Sequence, residues 1–318
     1  MIKLLVIIVT YNAMRWIDRC LGSVAEWDVF VVDNGSTDGT QEYIKKNYGK
    51  VIFRQSETNL GFGRANNVGL QYALDKGYDY VYLMNQDAWV MPDAISALVS
   101  VSKKYPEYGI LSPMHFQANM KHLDYNFGRY VTQWKWSHEM LEDWYYKRLT
   151  KEVYDISFTN AAHWLISRKC LMVVGGFSPV FPHYGEDNNY IDRLFYHKYK
   201  LGVVCNAIAV HDRENRSKNK QKELYLGCFI TPICDLSNIN NEINVFKLRR
   251  MFLSRIGSDV SITIKYRIRL LKLYKAIMKC RERSKQRCAF LTPPSTVPST
   301  TPCGTATPTT PTPPTILP

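Results

Sequence analysis

Three carboxylates stand where predicted strands end or a predicted helix begins. Asp33 lies in VVDNGSTDGT, Asp87 follows LMNQ, and Asp187 lies in YGEDNNYIDR. Ligands of an open parallel α/β sheet bind beyond the carboxyl ends of its strands. A carboxylate there is an oxygen ligand for Mg²⁺ or Mn²⁺, which would bridge to a diphosphate. A carboxylate at the start of a helix could instead take a proton from a hydroxyl nucleophile.

Apolar strand-like runs and amphipathic runs alternate through the first 115 residues, which predicts a βαβ arrangement and an α/β fold. The predicted strands are Lys3–Thr10, Val29–Asp33, Val51–Gln55, Tyr80–Asn85 and Ile110–Met114. The predicted helices are Ala13–Val24, Thr40–Tyr48, Gly63–Lys76 and Pro92–Lys104. The first strand, LLVIIV, is apolar throughout, which is typical of a parallel strand covered on both faces.

Polar residues follow three of these strands in the same direction. The first strand ends in Thr10-Tyr11-Asn12, the second runs into Asp33-Asn34-Gly35, and the fourth ends in Asn85-Gln86-Asp87. Each group alone is explained by ordinary turn chemistry, because Asn, Asp and Gly favour turns and cap helices. Their coincidence at one predicted sheet edge favours a ligand site.

A glycine-rich segment, NLGFGRANN, lies between the third strand and its helix. Gly61 and Gly63 allow a tight backbone, and Arg64 could meet an anionic group at the start of the helix. As a dinucleotide fingerprint the segment fails twice, because Asn66 holds the third glycine position and the motif does not follow the first strand. A Rossmann dehydrogenase is therefore disfavoured. A nucleotidyltransferase would need a basic phosphate loop near the first strand, where only Arg15 is available.

The composition excludes a disordered chain and a disulfide miniprotein. The eight cysteines form no C-x-x-C pair, which favours a reducing cytosol. The early apolar run Leu4–Val9 is far shorter than the roughly 20 residues of a spanning helix, so neither a signal peptide nor a membrane span is expected.

The net charge of +13 is concentrated in one segment. Residues 247–287 hold 14 Lys and Arg against two acidic residues, whereas the rest of the chain holds 27 basic and 26 acidic residues. We predict a main domain over 1–212, a basic helical region over 213–291 and a disordered Thr/Pro-rich tail over 292–318. The aromatic segment 121–155 is expected either to line a cleft or to form a buried cluster.

The sequence from Lys3 to Asp212 resembles glycosyltransferase family 2. The resemblance rests on motifs that occur in the family's order: VTYN, VVDNGSTDGT, NLGFGRANNVGL, LMNQDAWV, VGGF and YGEDNNYIDR, followed by His211. Within that family the rhamnosyltransferase-like branch is most similar. The resemblance implies a GT-A fold, with a mostly parallel sheet flanked by helices and the basic helical appendage after it. It also implies an inverting enzyme that moves a sugar, rhamnose being the suggested one, from a nucleoside diphosphate to a saccharide in polysaccharide biosynthesis.

The same resemblance implies roles for individual residues. Asp187 would be the general base and Glu186 its orienting partner, and Asp87 and His211 would hold a divalent cation, Mg²⁺ or Mn²⁺. Asn85 replaces the first carboxylate of the family's DXD element, which predicts weaker metal affinity. The predicted donor-site residues are Thr10, Tyr11, Asp33, Gly61, Arg64, Asn66 and Asn85.

The predicted partners are a nucleotide-sugar donor and a free or lipid-linked saccharide acceptor. The basic region could bind an anionic membrane surface at the inner face of a cytoplasmic membrane, or could be a solvated or packed helix. Two other classes stay open: a catalytically silent protein that binds sugar nucleotides or carbohydrate, and, less favoured, a nucleic-acid-binding protein acting through residues 247–287. Nucleic acid is not the expected partner, because the main domain is near neutral.

Overall fold

The computed structural model describes residues 2–132, 134–213, 220–241, 245–258 and 263–294. Its strands are β1 Leu4–Thr10, β2 Asp28–Asp33, β3 Ile52–Gln55, β4 Tyr80–Asn85, β5 Ala88–Val90, β6 Tyr108–Phe116, β7 Tyr154–Asp155, β8 His163–Ser167 and β9 Lys200–His211. Its α-helices are α1 Ile17–Gly22, α2 Thr40–Asn47, α3 Phe62–Lys76, α4 Ala94–Lys104, α5 Tyr125–Val131, α6 Trp134–Tyr145, α7 Arg168–Val174, α8 Glu186–Tyr196, α9 Lys220–Tyr225, α10 Thr231–Ser237, α11 Val245–Ser258 and α12 Ile264–Ser284. A π-helical segment, Leu226–Ile230, joins α9 to α10.

The predicted alternation of strands and helices over the first 115 residues is confirmed. The clearest difference is α1, which begins at Ile17 rather than at Ala13. Asn12 has a left-handed backbone with φ 53°, and the backbone N–H of Ala13 donates to Thr40 Oγ1 at 2.9 Å. Because Asn12 has a non-helical backbone and Ala13 is bonded to the first residue of α2, residues 12–14 form a loop and are not part of α1.

The sheet is covered on both faces, as the apolar first strand predicted. Leu5 and Ile7 of β1 pack into one buried cluster, whereas Leu4, Val6 and Ile8 pack into a second cluster on the opposite face. Successive side chains of a strand point to opposite faces. Strand β1 therefore contributes to two cores, which explains why it has no polar alternation.

The strand order is β3-β2-β1-β4-β8-β6-β9-β5, and β7 pairs with β9. The pairings β3–β2, β2–β1 and β1–β4 are parallel. In the other half, β8 runs antiparallel to both β4 and β6, and β5 runs antiparallel to β9. The sheet is therefore mixed, where the sequence indicated a mostly parallel one. The carboxyl ends of β1, β2, β4, β6 and β9 still share one edge with the start of β8.

The C-terminal helices pack against the segment that precedes α8. Phe229, Ile233, Leu270 and Ile277 form a buried cluster with Val180 and Phe181. The basic region is therefore attached to the sheet domain along the described part of the chain. The proposed boundary at residue 212 and the disordered tail stay predictions, and residues 295–318 lie outside the described ranges.

Residues 288–292, called here the C-terminal strap, return to the main core. The backbone N–H of Cys288 donates to Val173 O at 3.0 Å, and that of Gly176 donates to Ala289 O at 2.8 Å. Leu291 joins the same buried cluster as Ile7. At the end of the strap, Thr292 N–H donates to Gln71 Oε1 at 2.7 Å. The strap thereby connects α12 to α3 and α7.

In the aromatic segment 121–155, Phe127 and Tyr154 are buried in the core, whereas Tyr145 and Tyr146 are exposed. The side chains of Trp134 and Trp136 lie outside the described residues. The seven described cysteines are free thiols. In the described ranges, the helices are all too short or too polar to cross a bilayer.

Candidate functional site

The polar ends of β1, β2 and β4 meet at one edge of the sheet, as the sequence predicted. Thr10 Oγ1 donates to Asp33 Oδ2 at 2.8 Å. The Tyr11 backbone N–H donates to Gln86 Oε1 at 2.6 Å, and Gln86 Nε2 donates back to Tyr11 O at 3.1 Å. Tyr11 is 48% exposed. The β1 and β4 ends are thus clasped together, and an aromatic ring is left free to stack on a ligand.

Asp33 organises the loop that follows β2. Its carboxylate is fully buried. It accepts hydrogen bonds from the hydroxyls of Thr10 and Ser36, from the backbone N–H groups of Gly35 and Ser36, and from Gln41 Nε2. Five donors on two oxygens hold the loop in one conformation. A contact between Asp33 and a nucleobase stays a prediction.

The glycine-rich segment brings the start of α3 against the loop that leads to α8. Gly61 has φ 77°, and a Cβ built on it would lie 2.6 Å from Pro182 O. Arg64 is exposed and donates from Nη2 to Pro179 O at 3.1 Å. Asn66 is buried and donates to Phe62 O at 3.0 Å. Arg64 is therefore at the rim of the site, while Asn66 fixes the first turn of α3 from inside.

Asp87 and His211 come together although 124 positions separate them in the sequence. Strand β5 pairs with β9 so that Ala88 faces His211. Asp87 Oδ1 lies 3.4 Å from His211 Nε2, and both side chains are buried. Asn85 Nδ2 lies 3.4 Å from the same nitrogen, and Asn85 Oδ1 is buried without a hydrogen-bond partner. The three predicted residues form one cluster.

This cluster fits a divalent cation of the Mn²⁺ type. One carboxylate, one imidazole and an unpartnered amide oxygen are suitable donors for such an ion. Across the described residues, no group of three or more His, Cys, Asp or Glu side chains is arranged to hold a metal. An ion held here would need diphosphate or water oxygens to complete its coordination.

Asp187 and Glu186 begin α8, after Gly185 with φ 87°. Asp187 Oδ2 accepts from the Ala161 N–H at 3.3 Å, and its Oδ1 has no hydrogen-bond partner. The next residue, Ala162, accepts from the Asn85 N–H at 3.1 Å. Two consecutive residues, Ala161 and Ala162, thus lie between the proposed base and the backbone of Asn85 in the Asp87–His211 cluster.

Burial raises the pKa values of both carboxyls above their ordinary values. For Glu186, the neighbouring charge of Asp187 raises the pKa further. For Asp187, the hydrogen bond from Ala161 and the charge of Arg213 act in the opposite direction to burial. The two buried carboxyls titrate as a coupled pair, and burial increases the affinity of the pair for a proton.

Arg213 belongs to the site, although the sequence interpretation stopped at His211 and Asp212. Its Nε donates to His211 Nδ1 at 3.1 Å and lies 3.8 Å from Asp124 Oδ2. Its charge also lowers the pKa of Asp187. Arg213 is therefore the one described cation that contacts His211 while also acting on the proposed base. The signal available in the sequence was a basic residue two positions after the predicted histidine ligand.

Two further buried histidines, also missed from the sequence, lie behind His211. The rings of His115 and His163 are 4.9 Å apart, and each is 6.5 Å from the His211 ring. Burial lowers the pKa of His163 to about 3 and that of His115 well below its ordinary value. Both are neutral at physiological pH, so they support His211 without adding positive charge beside the proposed cation.

An open cleft of about 440 Å³ adjoins the site at Asp212. Arg15, Trp16, Arg19 and Trp89 are among the residues that line it. Trp16 Nε1 donates to Asp212 Oδ2 at 2.9 Å. This size is in the range of small-molecule sites, and indole and guanidinium groups suit sugar rings and anionic groups.

A model of the family described as Glycosyl transferase family 2 matches residues 5–175. This range includes the residues from Thr10 to Asp87 and ends before Glu186, Asp187 and His211. An N-acetylglucosaminyl-diphospho-decaprenol L-rhamnosyltransferase of Mycobacterium tuberculosis is 32% identical over 122 residues, which is 34% of this chain and 40% of that protein. A chondroitin synthase of Pasteurella multocida is 35% identical over 92 residues, which is 27% of this chain and 9% of that protein. The chain therefore matches well under half the length of these relatives.

Solved structures resemble the chain over most of its length. The S. aureus TarS 1–349 complex with UDP-GlcNAc has a TM-score of 0.52 and 14% identity, and the likeness covers 90% of this chain and 84% of that one. A complex of GalNAc-T7 with UDP, GalNAc and Mn²⁺ has a TM-score of 0.52 and 15% identity over 88% of this chain and 58% of that one. At these identities the likeness is one of fold.

Proposed function

Because the chain belongs to glycosyl transferase family 2, we propose that it is an inverting glycosyltransferase, which moves a sugar from a nucleoside diphosphate to a saccharide acceptor. The fold is of the GT-A type, as the resemblance implied. The observation that carries the proposal is the link through Ala161 and Ala162. It joins a carboxylate with raised proton affinity to a buried Asp87–His211 pair suited to a cation.

The proposed reaction is a single in-line displacement. Asp187 accepts the proton of an acceptor hydroxyl while that oxygen forms a bond to the anomeric carbon. The bond from the anomeric carbon to the diphosphate oxygen breaks, and the nucleoside diphosphate leaves with the electron pair. Attack and departure occur on opposite faces of the sugar ring, so the anomeric configuration inverts.

The other side chains would prepare this step. Tyr11 would stack on the base, and Arg64 would meet the base or diphosphate from the rim. Asp87 and His211 would hold a divalent cation, which when bound offsets charge on the diphosphate. The positive charge of Arg213 would favour the ionised form of Asp187 against the effect of burial, and Glu186 would share the proton of the pair.

We propose L-rhamnose as the donor sugar and a lipid-linked saccharide as the acceptor, in polysaccharide biosynthesis at the inner face of a cytoplasmic membrane. The name of the mycobacterial relative supports both substrates, and the resemblance to the rhamnosyltransferase-like branch supports the sugar. A panel of nucleoside diphosphate sugars, screened by thermal shift with and without Mn²⁺, would identify the donor, because a ligand stabilises the folded state to which it binds.

The decisive experiment compares Asp187→Asn with Asp192→Asn. Both carboxylates lie on α8, but the Asp187 carboxylate accepts from Ala161, whereas Asp192 lies more than one turn further along the helix. Loss of the base is expected to reduce transfer by about 10²–10⁴-fold, with donor-induced stabilisation retained. The Asp192→Asn variant should keep transfer.

Unchanged turnover by Asp187→Asn would remove Asp187 as the base, and a product of retained configuration by NMR would refute the displacement. Donor-induced stabilisation without transfer or donor hydrolysis by the wild-type protein in Mn²⁺ would indicate the silent binding protein instead.

A further inference from the structure

Helix α12 exposes an apolar stripe on the side facing away from the protein. Ile264, Ile268 and Leu271, called here the α12 stripe, are 75%, 49% and 50% exposed. Their spacing of four and three residues places them on one face of the helix. The buried residues of α12 lie on the other side and are Leu270, Ile277, Arg281 and Ser284. The α12 stripe is therefore not the surface by which the helix packs on its own chain.

Cations flank the α12 stripe. Lys265, Lys272 and Lys275 are exposed beside it, and Glu282, near the far end, is the only acidic residue within the helix. The neighbouring helix α11 contains no acidic residue and exposes Phe246 and Met251. A nucleic acid would offer phosphates to the cations, but its backbone has no apolar surface for the α12 stripe. A surface with anionic headgroups above an apolar layer matches both.

We propose that the α12 stripe and its flanking lysines dock on an anionic lipid bilayer, with the helix lying along the membrane surface. The apolar side chains enter the boundary between headgroups and acyl chains, and the lysine ammonium groups bind lipid phosphates. The cations give the selectivity for anionic lipid, and the apolar residues give the part of the binding that resists salt.

The docked face is connected to the proposed base. Tyr266 of α12 lies with its ring centroid 5.5 Å from that of Phe229 and 6.0 Å from that of Tyr225. The Tyr225 hydroxyl donates to His183 O at 3.4 Å, three residues before Glu186. These contacts connect the docked helix to the start of α8. If the proposed function holds, docking would place the start of α8 near a membrane-borne acceptor.

The test is sedimentation of the full chain with vesicles of zwitterionic lipid and of zwitterionic lipid mixed with anionic lipid. We expect binding to the mixed vesicles that weakens with salt. The variant Lys265→Gln/Lys272→Gln/Lys275→Gln should lower the partition constant about fivefold per charge. The variant Ile264→Ser/Ile268→Ser/Leu271→Ser should lower it at least about tenfold and abolish the binding left at high salt. The control Tyr145→Ser/Tyr146→Ser/Leu149→Ser, which removes exposed apolar surface elsewhere, should bind like the wild type.

Circular dichroism and thermal melting of each variant would show that it is folded, and the two α12 variants test the surface independently. Equal binding to both vesicle types, or equal losses in the control, would overturn the proposal. A concentration-dependent dimer that the serine variant abolishes while vesicle binding persists would also overturn the proposal. The same is true if the full chain binds duplex DNA instead of vesicles and the lysine variant weakens that binding. Donor-induced thermal stabilisation in lipid-free buffer is independent of docking, so its retention would show that only the docking proposal had failed.

Discussion

Replacement of Gly175 by alanine is expected to lower the free energy of unfolding by about 2.5–6 kcal/mol. Gly175 has φ 85° and ψ −152°, a region nearly restricted to glycine, where another residue costs about 1–3 kcal/mol. A Cβ built there would lie 2.0 Å from Ala289 O and 2.4 Å from Ala289 N. Because both atoms are backbone, the C-terminal strap must move, and exposing Leu291 costs about a further 1.5–3 kcal/mol.

Urea unfolding monitored by tryptophan fluorescence measures this change. Gly22→Ala is the matched control, because a Cβ on Gly22 meets nothing within 4 Å and its backbone is not left-handed. The control should change the free energy of unfolding by less than about 0.5–1 kcal/mol.

Combining Gly175→Ala with Leu291→Ala tests the cause. In the wild-type background Leu291→Ala should cost about 2–5 kcal/mol. If Gly175→Ala has already displaced the strap, the second substitution should cost much less, and the double-mutant cycle should show strong coupling. Additive losses, or a Gly175→Ala variant as stable as the control, would refute the strap's place in the core.

Two predictions concern the site itself. Transfer is expected to fall as the pH drops through the raised pKa of Asp187, at a higher pH than the ordinary aspartate value of 3.8, because a protonated carboxyl cannot accept the acceptor's proton. The folded chain binds this proton more tightly than the unfolded chain does, so its free energy of unfolding should rise over the same fall in pH, and Asp187→Asn should reduce that rise. An acid limb at the ordinary aspartate value, measured in pH–rate profiles, would contradict the burial of Asp187. Asp87→Ala should reduce donor affinity at least about tenfold in Mn²⁺ but little in EDTA, as measured by calorimetry. Asp75→Ala, at an exposed position of α3, should change neither affinity. An equal loss in EDTA would show that Asp87 does not act through a cation.

The local sequence predicted those strands and strand ends whose positions are set by neighbouring residues in the chain. The strand ends at Thr10, Asp33 and Asn85 follow from apolar runs that stop at polar residues, and parallel pairing then brings them to one edge. Asp87 and His211 were matched through family motifs, and their contact depends on β5 returning beside β9. His115 and His163 carried no local signal, because their roles arise only when β6, β8 and β9 align. For Arg213 the sequence offered only its position two residues after His211.

The same limit applies to Asp33 and to the glycines after α7. In the sequence, Asp33 at a strand end suggests a ligand-binding residue. The five hydrogen bonds that it accepts from its own chain are seen only in the structure. Gly175 and Gly176 read as a family motif. The reasons for their small size lie at Ala289 and Asn67, more than 100 positions away in each direction.

The strap has a consequence for how the chain matures on the ribosome. Its buried residues complete the hydrophobic face between α3 and α7, although they are made after every other helix and strand described. Until they emerge, a nascent chain keeps part of that face open to water, as a folding intermediate prone to association. A chain interrupted before residue 288 would therefore leave the ribosome with this apolar face uncovered, a surface of the kind that chaperones recognise.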